Sequence, residues 1–383
     1  MNRKFMKYSH NFGRHLGRNV VAALVVAAGL VGMRIAEAQA APKAQAAPKA
    51  QVAPKVVGKL LQVGGTRFVV KGAAAYILPF YTSADGSKEF AQDYTYQRMF
   101  AAKDAVFAQM KSIGINSVRL PVASSTYGGA DPYNLGGKAG YLDKLAAIVA
   151  SANSQGLYVL IGWWEPLGYA PALSMMSDVH AKLGNNPMVM YEPFNEPNGI
   201  SWDQWRQPMR DTIRHWRQDI GYTGVLFIDT INWSWWFSPS EAQGLMNYDA
   251  GLTGRGPNLM FANHRYANQN TNFLVADKAA WESEVGQYVG SYPIIGTEYG
   301  FYNFQGPPQL QWNQEFFSYL ADTKVPQGFN GAWLFVWRWV DSNSMTDNDM
   351  FTLWPNGTTA RDYFYNRLAA PPPAPTAPTK SSR

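Results

Sequence analysis

The sequence predicts an α/β fold in which eight strand–helix units close into a (β/α)8 barrel of the TIM type, preceded by an N-terminal β-hairpin. Three observations predict it. Between Leu60 and Leu368 short apolar runs alternate with longer amphipathic stretches, the pattern of repeated βα units around a parallel sheet. The apolar runs number eight, which is the number that closes such a barrel. Most of them end in a polar residue, as expected where the C-terminal ends of the strands gather on one working face.

Taken in order, the hairpin comes first. Leu60-Leu61-Gln62-Val63 and Arg67-Phe68-Val69-Val70 flank Gly64-Gly65, a pair suited to a tight turn, and a hairpin there would plug the bottom of the barrel. Eight candidate strands follow at 72–77, 117–122, 158–162, 188–191, 225–229, 259–262, 293–296 and 332–336. Each reads as a nearly continuous apolar run, as strands buried on both faces do. Helices are expected at 96–113, 141–154, 202–219, 275–289 and 309–321, where apolar residues recur at i, i+3 and i+4.

The ends of the chain differ from this body. Residues 1–19 hold Arg3, Lys4, Lys7, Arg14 and Arg18, an apolar stretch covers 20–33, and Ala36-Glu37-Ala38 and Ala38-Gln39-Ala40 supply small residues, so 1–38 reads as a secretory signal peptide. The stretch is shorter than the roughly 20 residues a spanning helix needs, so cleavage is expected, with an uncleaved anchor as the alternative. Residues 39–59 form an Ala/Pro/Lys/Gln-rich spacer, 60–368 the barrel domain, and 369–383 a proline-rich tail with too little apolar content to pack.

Charge follows the same division. The formal net charge is +6, yet 1–38 carries +5, 39–59 adds four lysines, and Lys380 and Arg383 add two, leaving the body at −5. A mildly acidic body argues against a nucleic-acid surface and suits a neutral polymer. The chain has no cysteine, which rules out disulfides and thiolate chemistry, and its five histidines form no visible metal cluster. No cofactor is expected. Aromatic residues make up 14% of the chain and tryptophans number 14, more than packing requires, so some should line a groove.

Polar residues just past the runs are the candidates for chemistry. Arg119 lies within the second strand; Trp163, Trp164 and Glu165 follow the third; Asn195 and Glu196 follow the fourth; Asp229 and Asn232 the fifth. Asn263, His264 and Tyr266 follow the sixth, Glu298 the seventh and Trp337 the eighth. Cleaving a glycosidic bond takes one carboxylic acid to protonate the leaving oxygen and a second carboxylate to attack the anomeric carbon or activate water. Glu196 and Glu298 fit that pair from opposite sides of the mouth, with Glu165 and Asp229 as further strand-end acids. Arg119, Asn195 and Tyr266 can support a nucleophile, while Arg119 can equally pair with Glu192, and His264 can be a structural histidine. Exposed members of Trp163, Trp164, Trp202 and the Trp233-Ser234-Trp235-Trp236 cluster would stack on sugar rings.

On these residues the stretch from Leu60 to Leu368 resembles glycoside hydrolase family 5, the cellulase family of clan A. Asn195-Glu196-Pro197 is similar to the family's fourth strand end, Ile115-Asn116-Ser117-Val118-Arg119-Leu120-Pro121 to its second strand, and His264-Arg265-Tyr266 to the His-x-Tyr after its sixth. Ile295-Gly296-Thr297-Glu298-Tyr299-Gly300 is similar to the seventh, and Trp337 to the tryptophan after the eighth. The resemblance implies Glu196 as acid/base, Asn195 on the sugar 2-hydroxyl, Glu298 as nucleophile beside Arg119, and Trp337 under the subsite of cleavage. Two segments depart from the family pattern. Trp163-Trp164-Glu165 replaces an Asp-x-His, and Thr297 is interposed before Glu298.

The expectation is therefore a secreted or periplasmic, retaining β-glycanase, foremost an endo-β-1,4-glucanase. The alternatives are a β-mannanase or other β-glucanase, or a non-catalytic carbohydrate-binding barrel. Its partner would be a β-linked polysaccharide or oligosaccharide. No nucleic acid and no stable membrane span after signal cleavage are expected, and the protein is expected as a monomer.

Overall fold

Apolar runs bounded by turn residues become strands, and the chain begins with three short ones. The computed structural model describes residues 51–78, 95–123, 135–164, 169–267, 272–301, 310–338, 344–347 and 349–369. Strands β1 (Lys55–Val57), β2 (Leu60–Val63) and β3 (Thr66–Arg67) pair antiparallel in that order. Gly64 and Gly65, at φ 58° and 79°, make the β2–β3 turn, and two consecutive positive φ values are the geometry that matches the twist of a hairpin. β1 falls within the stretch read as spacer. The second hairpin strand stops at Arg67, because Val70 is taken into the barrel, where its N–H donates to the Asn330 carbonyl at 2.9 Å.

The barrel strands are β4 (Val70–Ala74), β5 (Ser117–Val122), β6 (Tyr158–Trp163), β7 (Val189–Glu192), β8 (Leu226–Asp229), β9 (Leu259–Ala267), β10 (Ile294–Phe301) and β11 (Gly331–Val336). They run parallel and close on themselves, with β11 beside β4 and β9 beside β10. All eight overlap the expected runs. β9 and β10 continue well past them, to Ala267 and Phe301, through polar residues that pair with each other as Glu298 with His264 and Gly300 with Tyr266. Polar side chains that find partners at the mouth let the ladder continue where apolar content alone would end it.

Helices fill the crossovers, and several break where one was expected. The segment 96–113 is two helices, Thr95–Ala101 and Lys103–Ser112, and 275–289 becomes Phe273–Ala276, Lys278–Glu284 and a 3-10 turn at Gly286–Tyr288. Asn272 caps the first of these pieces through its side chain, bonding the Val275 N–H at 3.0 Å. The helix Trp202–Arg214 starts at a capping box, with Ser201 and Gln204 each bonding the other's backbone N–H, and passes into a π-helical turn at His215–Asp219.

Two layers of core result. An inner cluster of Val70, Leu160, Met190, Val225, Phe227, Met260, Ile295 and Trp333 fills the barrel, and Leu61 of β2 packs into it from below. The hairpin thus covers the base, held by Asn330, whose Oδ1 accepts from the Leu61 N–H at 2.8 Å while its Nδ2 donates to the Lys59 carbonyl at 2.9 Å. An outer cluster joins the backs of the strands to the helices. Among the described residues no helix is long and apolar enough to cross a membrane.

Candidate active site

The upper ends of five strands deliver charged side chains to one place. Arg119 of β5 is fully buried and spends its guanidinium on three partners: Nε donates to Glu192 Oε2 at 2.6 Å, Nη2 to Asn195 Oδ1 at 2.9 Å, and Nη1 to Glu298 Oε1. Both readings of Arg119, as partner of Glu192 and as support for Glu298, are met by different nitrogens. The second oxygen of Glu298 accepts from the Tyr266 hydroxyl. Gly162 on β6 makes room for this: a Cβ there would stand 2.6 Å from Glu192 Oε2 and 3.0 Å from Arg119 Nε.

Glu196 reaches the same place from the loop after β7. Its backbone is left-handed, φ 50°, a conformation that costs a non-glycine residue roughly 1 kcal/mol or more and persists only when neighbours fix it. They do so here. The Glu196 N–H donates to Asp229 Oδ2 at 2.8 Å, and its carboxylate Oε1 meets His264 Nδ1 at 2.8 Å. The other ring nitrogen, Nε2, lies 2.9 Å from Thr297 Oγ1. Thr297 is the extra residue of a bulge, since β10 advances from Gly296 to Glu298 while β9 advances from Asn263 to His264. The insertion therefore leaves Glu298 in reach of Arg119 and adds a hydroxyl beneath His264.

Electrostatics separate the two carboxyls. Burial pushes Glu298 up, but the Arg119 and His264 cations and the hydrogen bond from Tyr266 outweigh it and hold Glu298 below the usual carboxylate range. Burial, with the nearby Glu298 charge, holds Glu196 above its ordinary value against the opposing bond to His264. For His264 burial favours the neutral ring, yet Glu298, Asp229 and Glu196 around it raise it to about 9. Asp229 is raised well above the carboxylate range by burial and then by Glu192. Adjacent carboxyls pushed in opposite directions are the arrangement for one proton donor and one anion.

Two sets, Glu192–Asp229–His264 and Glu196–His264–Glu298, bring ligand atoms within 4.8 Å of one another, a spacing that would admit an ion. His264 belongs to both sets. Its two ring nitrogens already face Glu196 Oε1 at 2.8 Å and Thr297 Oγ1 at 2.9 Å.

The aromatic residues divide. Trp163 and Trp337 are fully buried, and the Trp337 indole N–H donates to the Met350 carbonyl at 3.2 Å, so neither presents a ring face to solvent. Trp164 is partly exposed, and its N–H donates to the Val122 carbonyl at 3.0 Å. Trp233 and Trp236 are 45% and 47% exposed. Trp235 lies with its ring 4.8 Å from the Arg265 guanidinium. Glu165 lies outside the described residues. Reading the sequence did not single out Ser234 or the hydroxyl of Thr297 as parts of the site. Thr297 was visible as an insertion, whereas nothing local marked Ser234.

Comparison with known proteins gives the chain a family. The model for Cellulase (glycosyl hydrolase family 5) matches residues 81–339, more than half of the chain. Endoglucanase E-5 of Thermobifida fusca is 26% identical over 195 residues, covering 49% of this chain and 40% of that protein. Endoglucanase 5 of Pectobacterium carotovorum subsp. carotovorum is 26% identical over 231 residues, 57% of this chain and 38% of that one. The chain spans less than half the length of these curated relatives. Among solved structures, the mannotriose complex of Thermomonospora fusca β-mannanase superposes with TM-score 0.59 at 17% identity, covering 83% of this chain and 96% of that one. The catalytic domain of Thermobifida fusca endoglucanase Cel5A with cellotetraose gives 0.58 at 18% identity, covering 83% and 97%. At these identities the structural likeness speaks for the barrel, and the family match carries the assignment: the chain belongs to the cellulase family, glycosyl hydrolase family 5.

Proposed function

We propose that the protein is a secreted, retaining β-glycanase, foremost an endo-β-1,4-glucanase, with Glu196 as acid/base and Glu298 as nucleophile. The observation that carries the mechanism is the closeness of the pair. An oxygen of Glu196 and an oxygen of Glu298 lie within 4.8 Å of each other. Retaining glycosidases hold their carboxyls about 5 Å apart, whereas inverting ones need about 6.5 to 9.5 Å to admit a water.

In this reading a Glu298 oxygen, held ionised by Arg119 and Tyr266, attacks the anomeric carbon while Glu196 gives its proton to the departing glycosidic oxygen. A glycosyl ester on Glu298 results. Water then attacks the anomeric carbon of that ester, Glu196 accepts the water's proton, the bond from the anomeric carbon to the Glu298 oxygen breaks, and Glu298 leaves as a carboxylate. Asn195, fixed by Arg119, faces the sugar hydroxyl next to the reacting carbon. Trp164, Trp233 and Trp236 offer exposed ring surface for pyranose faces, while Trp163 and Trp337 back the wall. Glucan is placed first because the relatives matched in sequence are endoglucanases.

The test is hydrolysis of carboxymethylcellulose by purified protein, with mannan, xylan and laminarin beside it, and NMR of the first anomer released. Cleavage yielding the β anomer is expected. An α product would overturn retention, and no cleavage of any of the four would leave a carbohydrate-binding barrel.

A further inference from the structure

We propose that Asp229 is a positioning residue that holds the Glu196 carboxyl at the scissile oxygen and couples it to the left-handed turn carrying Trp233. The inference rests on the reading of Glu196 as acid/base. Asp229 is the last residue of β8 and is fully buried, so it cannot itself touch a sugar. Its backbone is fixed from behind by the Trp205 indole N–H, which donates to the Asp229 carbonyl at 2.9 Å.

One oxygen makes both connections. Oδ2 accepts from the Glu196 N–H at 2.8 Å and from the Ser234 hydroxyl at 2.8 Å. Both partners are strained. Glu196 sits at φ 50°, and Asn232, Trp233 and Ser234 are three successive non-glycine residues at φ 56°, 57° and 58°. Left-handed residues of this kind hold only where the surroundings over-determine them. Two further bonds complete the frame: Asn263 Nδ2 donates to the Ser234 carbonyl at 2.6 Å, and the Trp233 N–H donates to the Pro197 carbonyl at 3.3 Å. The Asn195–Pro197 segment and the 232–234 turn thus share a single carboxylate oxygen.

Asp229 makes no hydrogen bond to a charged side chain among the described residues, although His264 stands near enough to feel its charge. Its other oxygen, Oδ1, is buried without a hydrogen-bond partner, which destabilises the fold. The charged groups facing it are Glu192 from β7, Arg119 from β5 and His264 from β9. Arg119 makes its bonds to Glu192, Asn195 and Glu298, and His264 Nε2 approaches Thr297 Oγ1 at 2.9 Å but Asp229 Oδ2 only to 3.7 Å. Burial, and after it Glu192, raise Asp229 above its ordinary value, and the feature that ties it to Glu196 and Ser234 is geometric, the one oxygen that accepts both bonds.

The test compares two substrates on the same preparation: the unactivated oligosaccharide of whichever β-glycan the wild type cleaves, and the 2,4-dinitrophenyl glycoside of its disaccharide. The second has a leaving group that departs without protonation. kcat/KM reports the glycosylation step, and the ratio of the two values cancels the fraction of folded protein. Asp229→Ala is expected to lower kcat/KM by about 30-fold or more on the oligosaccharide, as a misplaced catalytic group does, and by less than about 3-fold on the activated glycoside. Asp229→Asn, whose amide oxygen can accept both bonds, is expected to restore the ratio to within about 3-fold and to leave the basic limb of the pH profile in place. Ser234→Ala, which frees one of the two bonds, moves the ratio in the same direction by a smaller factor and decides the matter should Asp229→Ala not accumulate.

Equal losses on both substrates in Asp229→Ala, or no change of ratio in Asp229→Ala and Ser234→Ala, would overturn the proposal. So would a basic limb displaced by more than about half a unit in Asp229→Asn, since Asp229 would then act through charge. Glu196→Ala is the control. If it fails to lose selectively on the oligosaccharide, the acid/base reading itself falls; if it does so and Asp229→Ala does not, only the positioning role falls.

Discussion

The base and the mouth of this barrel are made by the same strands with opposite chemistry. Met190 and Glu192 on β7, and Phe227 and Asp229 on β8, are i, i+2 pairs that point to the same side of their strands. The lower member of each belongs to the apolar inner cluster, and the upper belongs to the charged network. About 7 Å of strand separates the two regimes. At the base Asn330 is saturated with bonds to the hairpin and to β10, and the unpartnered polar atom of the inner cluster is an uncharged one, the Trp333 indole nitrogen. At the mouth Glu192 Oε1 and Asp229 Oδ1 are buried with no partner, and Glu196 is strained. The difference teaches where stability is made and where it is given up: burial below supports a destabilised arrangement above.

Substitutions at the two levels should therefore fail in different ways. Glu298→Ala and Glu196→Ala are expected to lose about 10²-fold or more in turnover of unactivated substrate while still folding, because each removes a chemical role rather than packing. Activity assays paired with thermal melts check this. A mouth variant that kept its activity but melted much earlier would erase the distinction.

The converse comes next in size. Phe227→Ala opens the inner cluster and is expected to cost about 3 kcal/mol or more of stability, read by denaturant unfolding, with the pH profile of the remaining folded enzyme unchanged. A shifted profile would mean that the base tunes the mouth, and the two regions would have to be treated as one.

How much of this could be read beforehand also divides by level. The eight runs were legible because buried parallel strands are apolar on both faces, and Arg119, Glu196, His264, Tyr266 and Glu298 because each follows or interrupts such a run in a recognisable segment. The true ends of β9 and β10 were not. Their apolar runs give way to Asn263-His264-Arg265 and Thr297-Glu298, and only pairing across strands, Glu298 with His264 and Gly300 with Tyr266, makes these ends strand. Thr297 looked like a disturbance of register, and the bulge that absorbs it is a property of two strands together. Trp163 and Trp337 are both buried, and a tryptophan at a strand end carries no local mark of whether it faces the cleft or the wall. The 232–234 turn has no glycine to announce three left-handed residues. It exists because Asp229, Asn263 and Pro197, distant in sequence, hold it.

The smallest expected effect sharpens the comparison most, because only the mouth should respond to pH. His264, raised to about 9, is a cation at neutral pH and favours the ionised forms of both Glu196 and Glu298. Replacing it, as in His264→Gln, removes that cation, so both carboxyls should hold their protons more tightly. Both limbs of the kcat/KM profile are then expected to move upward in pH, by about half a unit to one unit. The sign for stability follows from the same shift. A histidine raised in the folded state from its ordinary value of 6.5 to about 9 contributes stability that is complete below about 6.5 and disappears as pH rises through about 9. The wild-type melting temperature should fall across that interval, and His264→Gln should lose most of the fall. Phe227→Ala, which removes no ionisable group, should melt lower than wild type by the same amount at every pH between these values. Limbs that stayed in place would show that His264 is neutral in the free enzyme, and a pH-dependent deficit in Phe227→Ala would show that the apolar base and the charged mouth are coupled through the strands they share.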